Sequence, residues 1–191
     1  MKLPSLLLAG LLLGAAPLSI AHAASTASKA AQSKVAQTRP IQSRTVRVSD
    51  PRLPFAVSLP RGWHGVGFKD GLEGVNIAFS LKPPAALMRF NYLPRSGRTP
   101  DLRAEFRGFE GAVRQGGTTV KLRSERPARY GGVSGLTHVY DLSGRGKSLR
   151  MQVWFGLGPK NFYSFQLTDA ASHYARTAPL FAAALGSVKF R

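Results

Sequence analysis

Metal and acid–base chemistry would most readily use the histidines, and their spacing argues against a metal site. Beyond the first 23 residues the histidines are His64, His138 and His173, which are 74 and 35 residues apart. None has a second histidine or a carboxylate at the spacing of a metal-ligand motif, so the sequence predicts no metal site. His138 shares a predicted strand face with Leu136 and Tyr140. We therefore expect a hydrogen-bonded, partly buried histidine there, the alternative being a ligand or general base.

Nucleophilic and phosphate-binding motifs are incomplete. Cysteine is absent, which excludes thiolate chemistry and disulfides. Ser134 falls short of a nucleophile elbow because Leu136 stands where that motif needs glycine. Residues 144–147 have the composition of a phosphate loop without its length or its helix, and are typical of a hairpin tip. We predict no catalytic residue, no cofactor and no enzyme, although residues distant in sequence could meet in space.

The strongest compositional signal is positive charge. Lys and Arg number 27 against 9 Asp and Glu, for a net charge of +18, and such a field attracts anions. The candidate binding residues are four cations near predicted turns and one tryptophan: Arg145, Lys147, Arg150, Lys160 and Trp154. Cations interleaved with an aromatic ring suit single-stranded nucleic acid or an acidic peptide. The alternative is a solvated basic face with the tryptophan packed beneath a helix.

The first 23 residues have the pattern of a secretory signal peptide. Lys2 precedes an apolar run from Leu6 to Ile20, and small residues flank His22 before the expected cleavage after Ala23. A membrane anchor is disfavoured because the run is short and interrupted by glycine and proline. Residues 24–45 contain no acidic residue and are expected to be a flexible basic linker, or alternatively a basic arm, ahead of one domain at 46–191. We expect a bacterial periplasmic or secreted protein without a transmembrane anchor.

The domain alternates between two periodicities. Apolar residues at every second position predict strands near residues 55–59, 75–81, 88–93, 118–125, 136–142, 149–157 and 162–168. The last three are separated by short turn sequences and predict an antiparallel meander. A stripe from Leu102 to Val113 predicts a helix that Thr99 can cap and that ends at Gly116. A second helix is expected from Ala170, capped by Asp169, kinked or restarted at Pro179, and ending near Gly186, before an extended tail.

Two segments carry a resemblance to a known family. The opening Phe55-Ala56-Val57-Ser58-Leu59-Pro60-Arg61-Gly62-Trp63 and the closing stretch from Tyr174 through Pro179-Leu180-Phe181 to Ser187-Val188-Lys189-Phe190 resemble the PsbP-like group. The resemblance spans about residues 46–191. It implies the Mog/PsbP-type fold, an α+β domain in which helices flank both faces of an antiparallel sheet in an α/β/α sandwich. It also implies that the protein docks to other proteins without catalysis, and it assigns no site residue.

The expected function is therefore that of an exported accessory module which docks to another protein of the cell envelope. The alternative is a binder of anionic polymers or lipids, such as nucleic acid or an envelope polyanion, through an arginine-rich surface. The sequence leaves the partner and the oligomeric state open.

Overall fold

The computed structural model describes residues 45–82, 85–144 and 146–191. The predicted signal peptide, its cleavage site at Ala23 and nearly all of the predicted linker lie outside the described residues. Two α-helices and ten β-strands occur in the described part: β1 Thr45–Val48, β2 Phe55–Pro60, β3 His64–Gly65, β4 Glu73–Ala78, β5 Leu87–Pro94, α1 Leu102–Gln115, β6 Thr119–Tyr130, β7 Val133–Gly144, β8 Lys147–Leu157, β9 Asn161–Ala170, α2 Tyr174–Gly186 and β10 Lys189–Phe190. The predicted α+β class with an antiparallel sheet is confirmed.

Seven strands form one sheet in the order β3-β4-β5-β9-β8-β7-β6, and β1, β2 and β10 form a smaller one. The predicted meander is confirmed, because β6, β7, β8 and β9 pair as successive antiparallel neighbours. Strand β9 then pairs with β5, which puts the end of the meander at the centre of the sheet. The predicted extended tail is also confirmed, since Lys189 and Phe190 pair with β2.

Helix α1 follows its predicted apolar stripe, but its capping residue differs from the prediction. The Asp101 carboxylate accepts a hydrogen bond from the Arg103 backbone N–H at 2.9 Å, as an N-cap residue does. Thr99 instead accepts a hydrogen bond from the Arg95 guanidinium at 2.8 Å. The stripe residues Phe106, Phe109 and Val113 are buried, and helix α1 ends before Gly116 as predicted.

The predicted start of the second helix is wrong. Asp169 and Ala170 belong to β9, where they pair with Arg150 and Leu149 of β8. The ladder therefore extends through the residue expected to cap the helix, and α2 begins at Tyr174. Pro179 lies inside one continuous helix and faces solvent. No described helix is long and apolar enough to cross a bilayer.

Strand β4 is shorter than its alternation predicts. The predicted strand runs to Leu81, whereas β4 ends at Ala78. Phe79 and Leu81 are consequently 62% and 68% exposed. These two apolar side chains project from the connection between β4 and β5 and contribute little to the core.

The core consists of two hydrophobic clusters that share the central strands. Met151, Val153 and Phe155 of β8 belong to the cluster that contains the buried face of α1. Trp154, between them in sequence, belongs to the cluster that contains Phe181 of α2. Because successive side chains of a strand point to opposite faces, β8 contributes to both clusters, and each cluster includes one helix.

Trp154 requires two glycines beside it. It is fully buried and lies against Gly135 and Gly156, which are register partners on β7 and β8. A Cβ atom at either glycine would overlap the Trp154 indole. The sheet therefore leaves a gap in its side-chain layer at the position of the indole.

We expect Gly156→Ala to lower the free energy of unfolding by about 3 kcal/mol, because a close-packed core accommodates an added methyl group only by shifting its neighbours. Urea denaturation followed by tryptophan fluorescence measures the change. Gly65→Ala is the matched control, since a Cβ atom at Gly65 meets nothing within 4 Å. Equal effects of the two substitutions would contradict this account of Trp154.

Candidate functional site

The five candidate binding residues do not form one site. Arg145 lies outside the described residues. Lys147 begins β8, whereas Lys160 lies in the turn that follows the end of β8 at Leu157. An 11-residue strand spans about 35 Å at 3.3 Å per residue. Lys147 and Lys160 are therefore at opposite ends of the sheet.

Arg150 and Trp154 share a strand face but differ in exposure. The Arg150 Nε atom donates a hydrogen bond to Asp141 Oδ1 at 2.8 Å, and the Arg150 guanidinium lies 5.6 Å from the centre of the Tyr174 ring. Trp154 packs edge-on against Tyr130 and its Nε1 atom lies 3.4 Å from the Ala128 carbonyl oxygen. Because Trp154 is fully buried, a base or peptide cannot stack on it.

A second arginine joins Arg150 at Asp141. The Arg123 Nη1 atom lies 2.6 Å from Asp141 Oδ2, so one carboxylate holds two guanidinium groups, and they lower the pKa of Asp141. Arg123 occupies the register shift between Leu122 and Ser124. This arginine was not predicted from the sequence, because a bulge changes which side chains share a face and the apolar alternation of β6 is too weak to locate the bulge.

Strand β6 is the long open edge of the seven-stranded sheet, whose other edge is the two-residue strand β3. It pairs with β7 and with no other described strand, and nine of its twelve residues are exposed. Its basic side chains include Lys121, Arg126 and Arg129, which are all exposed. Its single acidic residue, Glu125, is held by Arg103 at 2.8 Å. The edge therefore presents exposed positive charge at Lys121, Arg126 and Arg129.

The predicted hydrogen-bonded state of His138 is confirmed. His138 is 4% exposed, and its ring stacks on Phe106 with centroids 3.6 Å apart. Its Nε2 atom lies 2.8 Å from Glu125 Oε2 and its Nδ1 atom lies 2.7 Å from the Tyr140 hydroxyl. The Tyr140 hydroxyl also lies 3.0 Å from Glu110 Oε1. This network joins α1 to β6 and β7.

The three contacts of this network need three protons, one more than a neutral His138 and Tyr140 together provide. The neutral ring carries one N–H group and Tyr140 one O–H group, while carboxylates only accept. Two protons therefore serve three contacts, and a third proton on His138 would complete the set. Burial opposes that uptake and lowers the pKa of His138, although Glu125 and Glu110 favour the charged form. With His138 and Tyr140 both buried, these groups tie α1 to β6 and β7.

A small pocket lies where β5 ends and α1 begins. Its volume is about 240 Å³, and it is lined by Leu93, Pro94, Arg95, Ser96, Arg98, Pro100, Glu105 and Phe162. Ligand pockets typically measure roughly 300–1,000 Å³, so this one suits a single side chain or a small molecule. Burial and the neighbouring Asp101 raise the pKa of Glu105. Within the described residues, no group of three or more His, Asp or Glu side chains is placed to hold a metal ion.

Solved structures share this arrangement of strands and helices. The solution structure of cyanobacterial PsbP (CyanoP) from Synechocystis sp. PCC 6803 matches with a TM-score of 0.64 and 15% identity, over 82% of this chain and 99% of that chain. The chain has a PsbP-like fold. No family model matches the sequence, and a comparison with curated proteins gives no significant match.

Two further structures with this PsbP-like fold match over most of their length. PA94 from Pseudomonas aeruginosa, a protein of unknown function and putative regulator, has a TM-score of 0.53 and 15% identity, over 77% of this chain and 97% of that chain. LpqN of Mycobacterium tuberculosis, involved in cell envelope biogenesis, has a TM-score of 0.55 and 12% identity, over 76% of this chain and 90% of that chain. At this level of identity the likeness concerns the PsbP-like fold alone.

We expect the stability of the protein to fall as the pH drops from 7 to 5. His138 has a folded-state pKa below its ordinary value of 6.5, so between those two values the unfolded state binds more protons and acidification favours unfolding. Glu125, whose pKa is lowered from 4.5, adds a loss only below that range. Urea denaturation at pH 7, 6 and 5 measures the slope, and His138→Gln should reduce it.

The control is His64→Gln, which removes an exposed imidazole and should leave most of the pH dependence in place. An imidazole NMR titration gives the pKa of His138 directly. A value above 6.5 would show that the two carboxylates outweigh burial and would overturn the predicted slope.

Proposed function

We propose that this chain is an exported, non-enzymatic accessory protein of the cell envelope that docks to an acidic partner protein through the edge strand β6. The signal-peptide pattern of residues 1–23 supports export, with residues 24–45 as the linker. The PsbP-like fold supports an accessory role, since LpqN, which shares it, is involved in cell envelope biogenesis. The division of the core into two clusters with one helix each supports the α/β/α sandwich that the resemblance implies.

The observation that carries the proposal is the open, positively charged edge of the seven-stranded sheet. An edge strand exposes backbone N–H and C=O groups that can pair with another extended segment. In β6 the register shift after Leu122 and the proline at position 127 interrupt that backbone pattern. Continuous backbone pairing is thereby limited to short stretches, and the basic side chains contribute much of the contact.

The same features select the partner. Two copies of β6 would bring Arg126 and Arg129 of one chain against like charges of the other, and like charges across an interface are unfavourable. An extended segment rich in Asp or Glu meets no such repulsion. The edge thus disfavours self-association and favours an acidic strand.

The alternative of a general polyanion binder has weaker support. Exposed basic residues occur at both ends of the molecule, with Arg61 and Lys82 at one end and Arg98 and Lys160 at the other. Arg150 and Arg123 are already paired with Asp141. A long anionic polymer favours a continuous basic track, but the basic residues of this chain are dispersed. Strand β6 is therefore the clearest surface on which a defined partner could bind.

We expect Arg126→Glu/Arg129→Glu to weaken binding of an acidic strand-forming peptide by about tenfold or more, because each reversal turns an attraction into a repulsion. The probe is a fluorescent twelve-residue peptide of alternating Glu and Thr, with binding measured by anisotropy in 50 mM salt. The Gln–Thr analogue should bind far more weakly. Hydrogen exchange should slow in β6 when the acidic peptide is bound.

The matched control reverses two exposed charges away from β6, in Arg98→Glu/Lys160→Glu, and should change the affinity by less than about threefold. An equal loss in both double variants, or equal binding of the two peptides, would contradict docking through β6. If duplex DNA bound more tightly than the peptide and with a steeper salt dependence, the polyanion alternative would replace the proposal.

Export is tested separately by the mass of the protein recovered from the periplasm or medium of a bacterial host that expresses the full chain. We expect a product that begins at Ala24, because signal peptidase cleaves after small residues at the two positions it recognises. Ala23→Asp, which places a charged residue at the cleavage position, should leave the precursor uncleaved. Recovery of the full-length chain from the cytoplasm alone would contradict export.

A further inference from the structure

The two ends of the seven-stranded sheet differ in charge and apolarity. We define the acid-free end as the described connecting segments 61–63, 79–82, 85–86, 116–118 and 171–173, none of which contains Asp or Glu. The connections at the opposite end contain Asp50, Asp70 and Asp101. Connections alternate between the two ends because neighbouring strands are antiparallel, and the sequence places these acidic residues in the connections of one end only.

Exposed apolar side chains lie at the same acid-free end. Among the described residues, four large apolar side chains are mostly or nearly half exposed: Val46, Phe79, Leu81 and Leu122, at 47%, 62%, 68% and 45%. Phe79 and Leu81 lie in the connection from β4 to β5. Val46 pairs with Leu59 near the end of β2, and Leu122 lies near the start of β6, opposite Tyr140. All four are therefore next to the acid-free connections.

Basic and aromatic residues accompany them. Arg61 and Lys82 are exposed, and Lys147 begins β8 at this end. Trp63 packs edge-on against Phe79 with ring centroids 5.8 Å apart, so the exposed Phe79 ring is supported by a half-buried indole. Aromatic and aliphatic tips flanked by Lys and Arg are the composition of surfaces that enter the headgroup region of anionic membranes.

We propose that the acid-free end docks onto an anionic lipid bilayer and inserts Phe79 and Leu81 among the headgroups. The apolar tips belong to separate elements across the width of the molecule, and a protein interface needs one contiguous, complementary patch. A bilayer accepts separate projecting side chains, because each one inserts independently. The surrounding Arg and Lys side chains supply the attraction to lipid phosphate. The residues tested here, Phe79, Leu81, Arg61 and Lys82, lie outside β6, so this inference stands without the proposed function.

The test is co-sedimentation of the chain from residue 24 with vesicles of phosphatidylcholine alone or with 30% phosphatidylglycerol. Omitting residues 1–23 removes the apolar signal sequence, and all described elements lie beyond residue 44. We expect binding to the anionic vesicles only. Phe79→Ser/Leu81→Ser should weaken it about tenfold, and Arg61→Gln/Lys82→Gln should also weaken it about tenfold.

The matched control, Arg98→Gln/Lys160→Gln, removes the same charge from the opposite end and should change vesicle binding by less than about twofold. Trp63 gives an internal readout, because Trp154, the other tryptophan of the chain, is fully buried. Trp63 fluorescence should shift to the blue and be quenched by brominated lipid. Circular dichroism melting checks that the variants fold.

Three outcomes would overturn the proposal: equal binding to neutral and anionic vesicles, wild-type binding by Phe79→Ser/Leu81→Ser, or an equal loss in the two charge variants. The second would leave the apolar tips as a surface for a protein partner. The third would show that membrane binding is only a nonspecific attraction caused by the net charge.

Discussion

The structure depends on the burial of β8 and β9 from both sides. These strands pair over nine residue positions and supply side chains to both hydrophobic clusters. With no cysteine in the chain, no disulfide restricts the unfolded state, so stability comes from packing and hydrogen bonding. Trp154 is the largest fully buried side chain, and two paired glycines make room for it. Strands β5 and β7 pair with this central pair, and both helices pack against it.

The acidic residues, like the buried apolar ones, are used mainly to hold the fold together. The chain has 9 acidic residues for 27 basic ones, and eight of the nine carboxylates hold a hydrogen-bond or ion-pair partner: Asp50, Asp70, Glu73, Asp101, Glu110, Glu125, Asp141 and Asp169. Acidic side chains are thus committed to caps, turns and ties between elements. Because the described surface has few other carboxylates, the remaining Lys and Arg side chains set its charge, most clearly along β6 and at the acid-free end.

The sequence predicted most of the elements because their signals are local. Period-two runs located the meander, and the apolar stripe located α1. The errors occur where contacts with residues distant in the sequence determine the local structure. Asp169 is a good helix cap by residue type, but its pairing opposite Arg150 keeps it in β9. Phe79 and Leu81 continue the alternation of β4, but the strand ends at Ala78 and both side chains remain mostly exposed.

The candidate site was harder to predict than the fold for the same reason. Residue types suggested that Arg145, Lys147, Arg150 and Lys160 could gather near turns beside Trp154. The turns that flank β8 are a strand length apart, so Lys147 and Lys160 do not meet. The Arg123–Asp141–Arg150 group depends on a register shift that no local pattern marks. The Glu110–Tyr140–His138–Glu125 network joins a helix to two strands, and its members are as much as 30 residues apart in sequence.

The open edge and the acid-free end are geometrically compatible surfaces. Strand β6 begins near the acid-free end and runs away from it for twelve residues, about 40 Å at the rise of an extended strand. A molecule whose acid-free end rests on a bilayer therefore holds β6 upright, with Arg126 and Arg129 well clear of the headgroups. Membrane contact would then restrict the protein to one orientation while leaving its basic edge open to an acidic segment of a neighbouring envelope protein. In that arrangement the anionic surface and the acidic partner do not compete, because they meet cations at different positions along the same sheet.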